Sequence, residues 1–158
     1  VRDRCGAPAT ITVIDPFPDA RIVGESVDLH RSRLQDVDLD VFDRLEAGDV
    51  LFVDSTHVAK AGSDVNRLVF EVLPRLRSGV HVHVHDVHWP FEYPTDWLLG
   101  GRAWNETYVL RAFLQFNSEY EVSIWPSALH HLHRDVLERH LPEALVNEGG
   151  GSIWLRRR

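Results

Sequence analysis

Along this chain, short β-branched runs alternate with stretches of helical period. Ala9–Asp15 (ATITVID) reads as a strand stopped by Pro16 and Pro18, which cannot continue a ladder. Ser26–His30 is a weaker strand pattern, and Asp40–Ala47, apolar at 41, 42 and 45, predicts a short helix closed by Gly48. Val50–Asp54 (VLFVD) is an unbroken apolar run ending in an acid, the pattern of a buried parallel strand. Val65, Leu68, Val69, Val72, Leu73 and Leu76 recur at i, i+3, i+4, i+7, i+8 and i+11 and predict an amphipathic helix. Ser63 suits its N-cap, Pro74 perturbs its last turn and Gly79 suits its exit. Val80–Asp86 (VHVHVHD) alternates with period two, so it is a strand with His81, His83 and His85 on one face. Trp104–Phe116 predicts a helix apolar over much of its circumference, and therefore well buried. A strand at Glu121–Trp125, a helix marked by Leu129, Leu132, Val136, Leu137 and Leu141, and a strand at Ser152–Arg156 after three glycines complete the pattern. Strands alternating with helices predict an α/β sandwich with a mostly parallel sheet.

Composition narrows the picture. The 158 residues are 44% hydrophobic and 26% charged, which suits one globular domain over residues 1–158. With 17 Lys+Arg against 24 Asp+Glu, the net charge of −7 argues against nucleic acid as a partner; Arg156–Arg158 is the sole basic run. No apolar run reaches the ~20 residues of a membrane span, so no membrane partner is expected. Cys5 is the one cysteine, which excludes an intramolecular disulfide and fits a reducing, cytoplasmic location. The chain opens on Val1 and contains no methionine, and the expectation from both is that the natural protein begins further upstream.

In open sheets of this kind ligands collect at the carboxyl ends of the strands, and three such ends are acidic: Asp15, Asp54 and Asp86. His81, His83, His85, Asp86 and His88 form the densest imidazole–carboxylate cluster. They are candidate metal ligands, or neutral hydrogen-bonded strand residues, and the order H-x-H-D-x-H departs from the H-x-H-x-D-H of binuclear hydrolases. Asp54-Ser55-Thr56-His57 puts an acid and an imidazole three residues apart, as ligands, as an acid–base pair, or simply as loop caps. Trp89–Pro94, Trp97 and Trp104–Glu106 form an aromatic loop region, either a substrate lid or a hydrophobic cover. There is no G-x-S-x-G elbow, no P-loop and no G-x-G-x-x-G turn.

Asp54–His57, Gly62–Asn66, Pro74–Leu76, Gly79-Val80, His83-x-His85-Asp86, Pro90–Pro94, Trp104–Glu106 and Gly151–Arg156, in this order and spacing, resemble a bacterial family of class I S-adenosylmethionine-dependent methyltransferases over about Ile11–Arg156. The resemblance implies a Rossmann-like three-layer α/β sandwich whose last strand is antiparallel. It implies methyl transfer from S-adenosylmethionine to a small-molecule acceptor. Asp15, Gln35, Asp36 and Asp54 would contact the cofactor, and Asp15 suits the ribose diol because each carboxylate oxygen accepts one hydroxyl. Asp54, His57, His85 and Asp86 stand where related enzymes place catalytic groups. Asp54, His85 and Asp86 also stand where a divalent metal is held, and Tyr93, Trp104, Asn105 and Glu106 where the acceptor is met. That family's first strand and glycine-rich turn should precede Ile11, where Gly6 is the single glycine. The chain therefore reads as N-terminally incomplete, about the carboxyl-terminal two-thirds of the fold, with two strands left unpaired on one side and weak or absent cofactor binding on its own. The alternatives are a metal-dependent hydrolase built on His81–His88, and a non-catalytic remnant completed by a partner chain; a homo-oligomer is compatible with each.

Overall fold

A computed structural model describes residues 9–22, 27–147 and 150–158. Cys5, Gly6, Ser26 and Gly149, named above, lie outside these described residues. The chain divides into two units, 1–38 and 39–158. In the first, β1 (Thr12–Ile14) and β2 (Asp28–His30) form a parallel pair in the register Val13 to Leu29. A 3₁₀ turn, Leu34–Asp36, follows.

The second unit carries a four-stranded sheet in the order β3 (Val50–Val53), β4 (His81–His85), β6 (Ser152–Arg157), β5 (Tyr120–Ile124). β3 and β4 are parallel, and β6 lies antiparallel between β4 and β5. The helices are α1 (Asp40–Asp43), α2 (Asp64–Arg67), α3 (Thr95–Leu99), α4 (Glu106–Leu114), α5 (Pro126–Leu132) and α6 (Arg134–His140). Among the described residues β3 pairs only with β4, and β1 only with β2, so each leaves one edge without a ladder.

Alternation along the strands splits the sheet of the second unit into two unlike faces. Val53, Val82, Val84, Ile153 and Leu155 share one face and are at most 8% exposed. With them in the core go Val65, Leu68, Val69, Val72 and Leu73 from the helical stretch that starts at α2. The Tyr120 hydroxyl ties β5 to this stretch by donating to the Leu73 carbonyl at 2.6 Å. The opposite face bears Val50, Phe52, His81, His83, His85 and Trp154. There Phe52 stacks on His83 with centroids 4.5 Å apart, and Trp154 meets His83 edge-on at 4.8 Å.

Several expectations need correction. β3 is not buried on both faces: Phe52 is 62% and Val50 50% exposed, because β3 is an edge strand of its sheet. The 65–76 periodicity is real and Ser63 does cap it, its Oγ accepting from the Asn66 amide at 3.2 Å. The pitch, however, changes twice, from α in α2 to π over Leu68–Val72 and to 3₁₀ over Leu73–Arg75. Pro74 offers no N–H and would clash with the carbonyl four residues back in a regular α-helix, and widening the preceding turn relieves that clash. The leucine pattern from 129 to 141 spans two helices broken at His133, whose backbone leaves the helical region (φ −144°, ψ 49°). α4 is shorter than predicted and not apolar all round: it buries Glu106, Thr107 and Leu110 while Tyr108 stays exposed, and Phe116, past its end, is fully exposed.

Candidate functional site

Because β3 and β4 run parallel with Val53 opposite Val84, their carboxyl ends bring Asp54 and Asp86 to the same edge of the sheet. The chain then turns sharply at two non-glycine residues in the left-handed region, His57 (φ 58°) and Asp86 (φ 57°). Such conformations cost of order 1–3 kcal/mol and persist where neighbours over-determine them. Here the neighbours are identifiable. Thr56 is held through its amide and hydroxyl by the two carboxylate oxygens of Asp64, at 2.8 and 2.6 Å. The His57 carbonyl accepts from the amides of Asn105 and Glu106 at 2.9 and 3.1 Å. Asn105 clamps Ala59, its Oδ1 accepting from the Ala59 amide at 2.6 Å and its Nδ2 donating to the Ala59 carbonyl at 3.2 Å.

This double latch brings His57 and Glu106 together across 49 positions of sequence. His57 is 5% exposed and Glu106 2%. The imidazole Nδ1 lies 2.8 Å from Glu106 Oε2, and the other carboxylate oxygen, Oε1, accepts from the Ser55 hydroxyl at 2.8 Å. Ser55 Oγ in turn accepts from the His57 amide at 2.8 Å. With Nδ1 tied to a buried carboxylate, Nε2 is left facing Asp54 Oδ1 at 3.4 Å and Asp86 Oδ2 at 3.8 Å. Burial alone would lower the imidazole's affinity for a proton. The hydrogen bond to Glu106, then the charges of Glu106, Asp86 and Asp54, outweigh it and raise the His57 pKa above the usual 6.5.

Asp86 also reaches His85, whose Nε2 is 3.5 Å from Asp86 Oδ1. Gly151 packs against this corner. A β-carbon there would fall 2.5 Å from His88 Nε2 and 3.2 Å from Asp86 Oδ1, so any larger residue would have to push the His88 side chain aside. Trp104 lies against the His57 ring at 4.1 Å, and Trp97 meets Trp104 edge-on at 5.4 Å. Tyr93 is buried, and its hydroxyl accepts from the Thr107 amide at 3.1 Å. A depression of about 280 Å³ opens beside this loop, lined by His88, Glu92, Tyr93 and His131 among others.

Of the residues singled out in the sequence, Asp54, His57, His85 and Asp86 thus stand together. Trp104 joins them, whereas Tyr93, Asn105 and Glu106 are engaged with the protein itself: Asn105 with Ala59, Tyr93 with α4, and Glu106 with His57 and Ser55. Asp15, Gln35 and Asp36 belong to the first unit. Asp15 closes β1 and accepts from the Phe17 amide at 2.7 Å through one oxygen. Asp36 commits both oxygens to Arg33, at 2.8 and 3.0 Å. Ser55 is the residue whose part sequence reasoning missed, since a serine after an acid reads as a loop cap and nothing local announces its bond to Glu106.

The metal expectation has no support. Among the described residues no group of three or more His, Cys, Asp or Glu side chains is arranged to hold a metal ion, so neither Asp54, His85 and Asp86 nor the His81–His88 cluster forms such a set. His83 instead lies buried between Phe52 and Trp154, and burial pushes its pKa below the usual value, favouring neutral imidazole.

A family model described as a methyltransferase domain matches residues 2–87, more than half of the chain. The chain belongs to this methyltransferase family. No curated protein and no solved structure matches it. The mixed α/β build, with a central sheet flanked by helices, is that of a Rossmann-like methyltransferase fold. The matched stretch of the methyltransferase domain takes in Asp15, Asp54, His57 and Asp86 and ends before Glu106. No helix among its described residues is long and apolar enough to cross a membrane.

Proposed function

We propose that the protein transfers a methyl group from S-adenosylmethionine to a small-molecule acceptor, with His57 taking the acceptor's proton. The observation that carries this reading is the buried Glu106–His57 pair, whose second nitrogen looks onto Asp54 and Asp86 at the carboxyl ends of β3 and β4. A base must keep one tautomer and one orientation, and a carboxylate at Nδ1 enforces both while stabilising the imidazolium that forms. Asp54 and Asp86 favour that cation further. Trp104 covers one side of the imidazole and limits its contact with water.

The donor side rests on Asp15. A carboxylate offers about four acceptor sites, and one hydrogen bond from the Phe17 amide leaves enough for a ribose diol. Asp36 already gives one acceptor site on each oxygen to Arg33, so Asp15 is the less committed of the two. When bound, S-adenosylmethionine supplies an electrophilic methyl on a sulfonium. The chain's own part is to orient the acceptor, hold it out of water and accept one proton at His57 Nε2.

Two variants test this. Calorimetry, or NMR titration if affinity is millimolar, should show Asp15→Asn weakening S-adenosylmethionine binding about tenfold. His57→Gln should bind cofactor as wild type does, yet lose about 10²-fold or more in transfer of labelled methyl to a panel of small acceptors. Undiminished transfer by His57→Gln overturns the proposal.

A further inference from the structure

Arg102 lies in the loop between α3 and α4 and is exposed. Its guanidinium stands 4.1 Å over the Trp97 ring and 4.8 Å from the Trp104 ring, and its amide donates to the Trp97 carbonyl at 3.0 Å. Trp104 is also the ring that contacts His57, so the cation and the imidazole share one aromatic neighbour. Stacking fixes the plane of a guanidinium without using its donors, which stay at the rim.

Among the described residues, no carboxylate faces those donors. Several arginines of the second unit sit against carboxylates, as Arg67 does with Glu71, Arg75 with Asp43, Arg134 with Glu138 and Arg157 with Glu119, whereas Arg111 lies 6.0 Å over the Phe91 ring. Arg102 has no ion-pair partner among the described residues, although the chain carries a net charge of −7. An exposed guanidinium fork, stacked on two tryptophans and without an ion-pair partner among the described residues, one ring away from the imidazole, suits a planar or tetrahedral oxyanion bound in bidentate fashion.

We propose that Arg102 recognises an anionic group, a carboxylate or a phosphate, on the acceptor, and so places the acceptor's nucleophilic atom at His57; this rests on the methyl-transfer reading. The aromatic walls suit a flat acceptor body, and the charge sets its direction.

The test needs no knowledge of the natural acceptor. The probes are 4-hydroxybenzoate, phenyl phosphate and the neutral 4-hydroxybenzamide, followed by tryptophan fluorescence and by the NMR signal of His57 without cofactor. In the wild type at least one anion should bind about ten- to a hundredfold tighter than the amide, and the ratio should shrink with added salt. Arg102→Gln should bring the ratio to about one and Arg102→Lys should keep part of it, since a point charge replaces a fork. An unchanged His57 titration in Arg102→Gln shows that the loop has kept its fold. Equal affinities in the wild type, no binding of any probe, or a ratio that survives Arg102→Gln overturns the proposal. Because the readout is equilibrium binding, absent methyl transfer with the ratio intact removes the reaction and leaves anion recognition, while a lost ratio with transfer intact removes Arg102 alone.

Discussion

Replacing Glu106 separates the two things this carboxylate does. It is 2% exposed, accepts from Ser55 and faces His57 Nδ1, both at 2.8 Å. Glu106→Gln preserves shape and an acceptor for the Nδ1 proton but removes the charge. A charged hydrogen bond contributes about 1.5–3 kcal/mol and a neutral one about 0.5–1.5, so the variant should lose about 1–2 kcal/mol. Glu106→Leu leaves the buried His57 ring and the half-buried Ser55 hydroxyl without their acceptor and should cost about 3–5 kcal/mol. The pH dependence has a definite sign. His57 binds its proton more tightly folded than unfolded, so its contribution is complete below the unfolded value near 6.5 and is lost as pH rises through the higher folded value. In Glu106→Gln, burial, the largest single influence on His57, is opposed only by Asp86 and Asp54, and the folded pKa must fall. Urea unfolding across the neutral range, with the imidazole proton followed by NMR, measures both quantities. A wild-type His57 that titrates below 6.5, or one that titrates as high in Glu106→Gln as in the wild type, would refute the reasoning.

Two further outcomes can be stated. Gly79 has φ 89° and a β-carbon there would stand 2.5 Å from that of Ala47, so Gly79→Ala should destabilise by about 2 kcal/mol in denaturant titration. Adding Ala47→Gly should restore part of the loss, the strain of the backbone angle remaining. Burial holds the Tyr93 and Tyr120 hydroxyls protonated up to about 12, so absorbance titration should show both ionising late. Stability should fall between about pH 10 and 12, as the unfolded chain releases those protons first.

The order of elements was legible in the residues because hydrophobic period is a local property: 65–76 and 80–86 read correctly within a residue or two. Acids at the ends of β3 and β4 were legible too, since a parallel strand needs only its own run and its last residue to be recognised. Misreadings arose where neighbours decided. The apolar run of β3 does not say that the strand lies at an edge, and a proline inside a periodic stretch does not say whether the helix breaks, kinks or widens. The resemblance implies acceptor contacts for Asn105 and Glu106, and nothing local in the sequence announces their bonds to Ala59, His57 and Ser55.

By itself, then, the amino-acid order determined which segments become strands and helices, which acids close the strands, and the family pattern that surrounds them. Only tertiary structure decided that β6 runs between β4 and β5, that Glu106 belongs to His57 and Ser55, and that Arg102 rests on tryptophan rings with no ion-pair partner among the described residues. The physical reason is range. Period and strand ends depend on neighbours in sequence, whereas a buried carboxylate finds its imidazole 49 residues away only after the sheet and α4 have set both backbones in place.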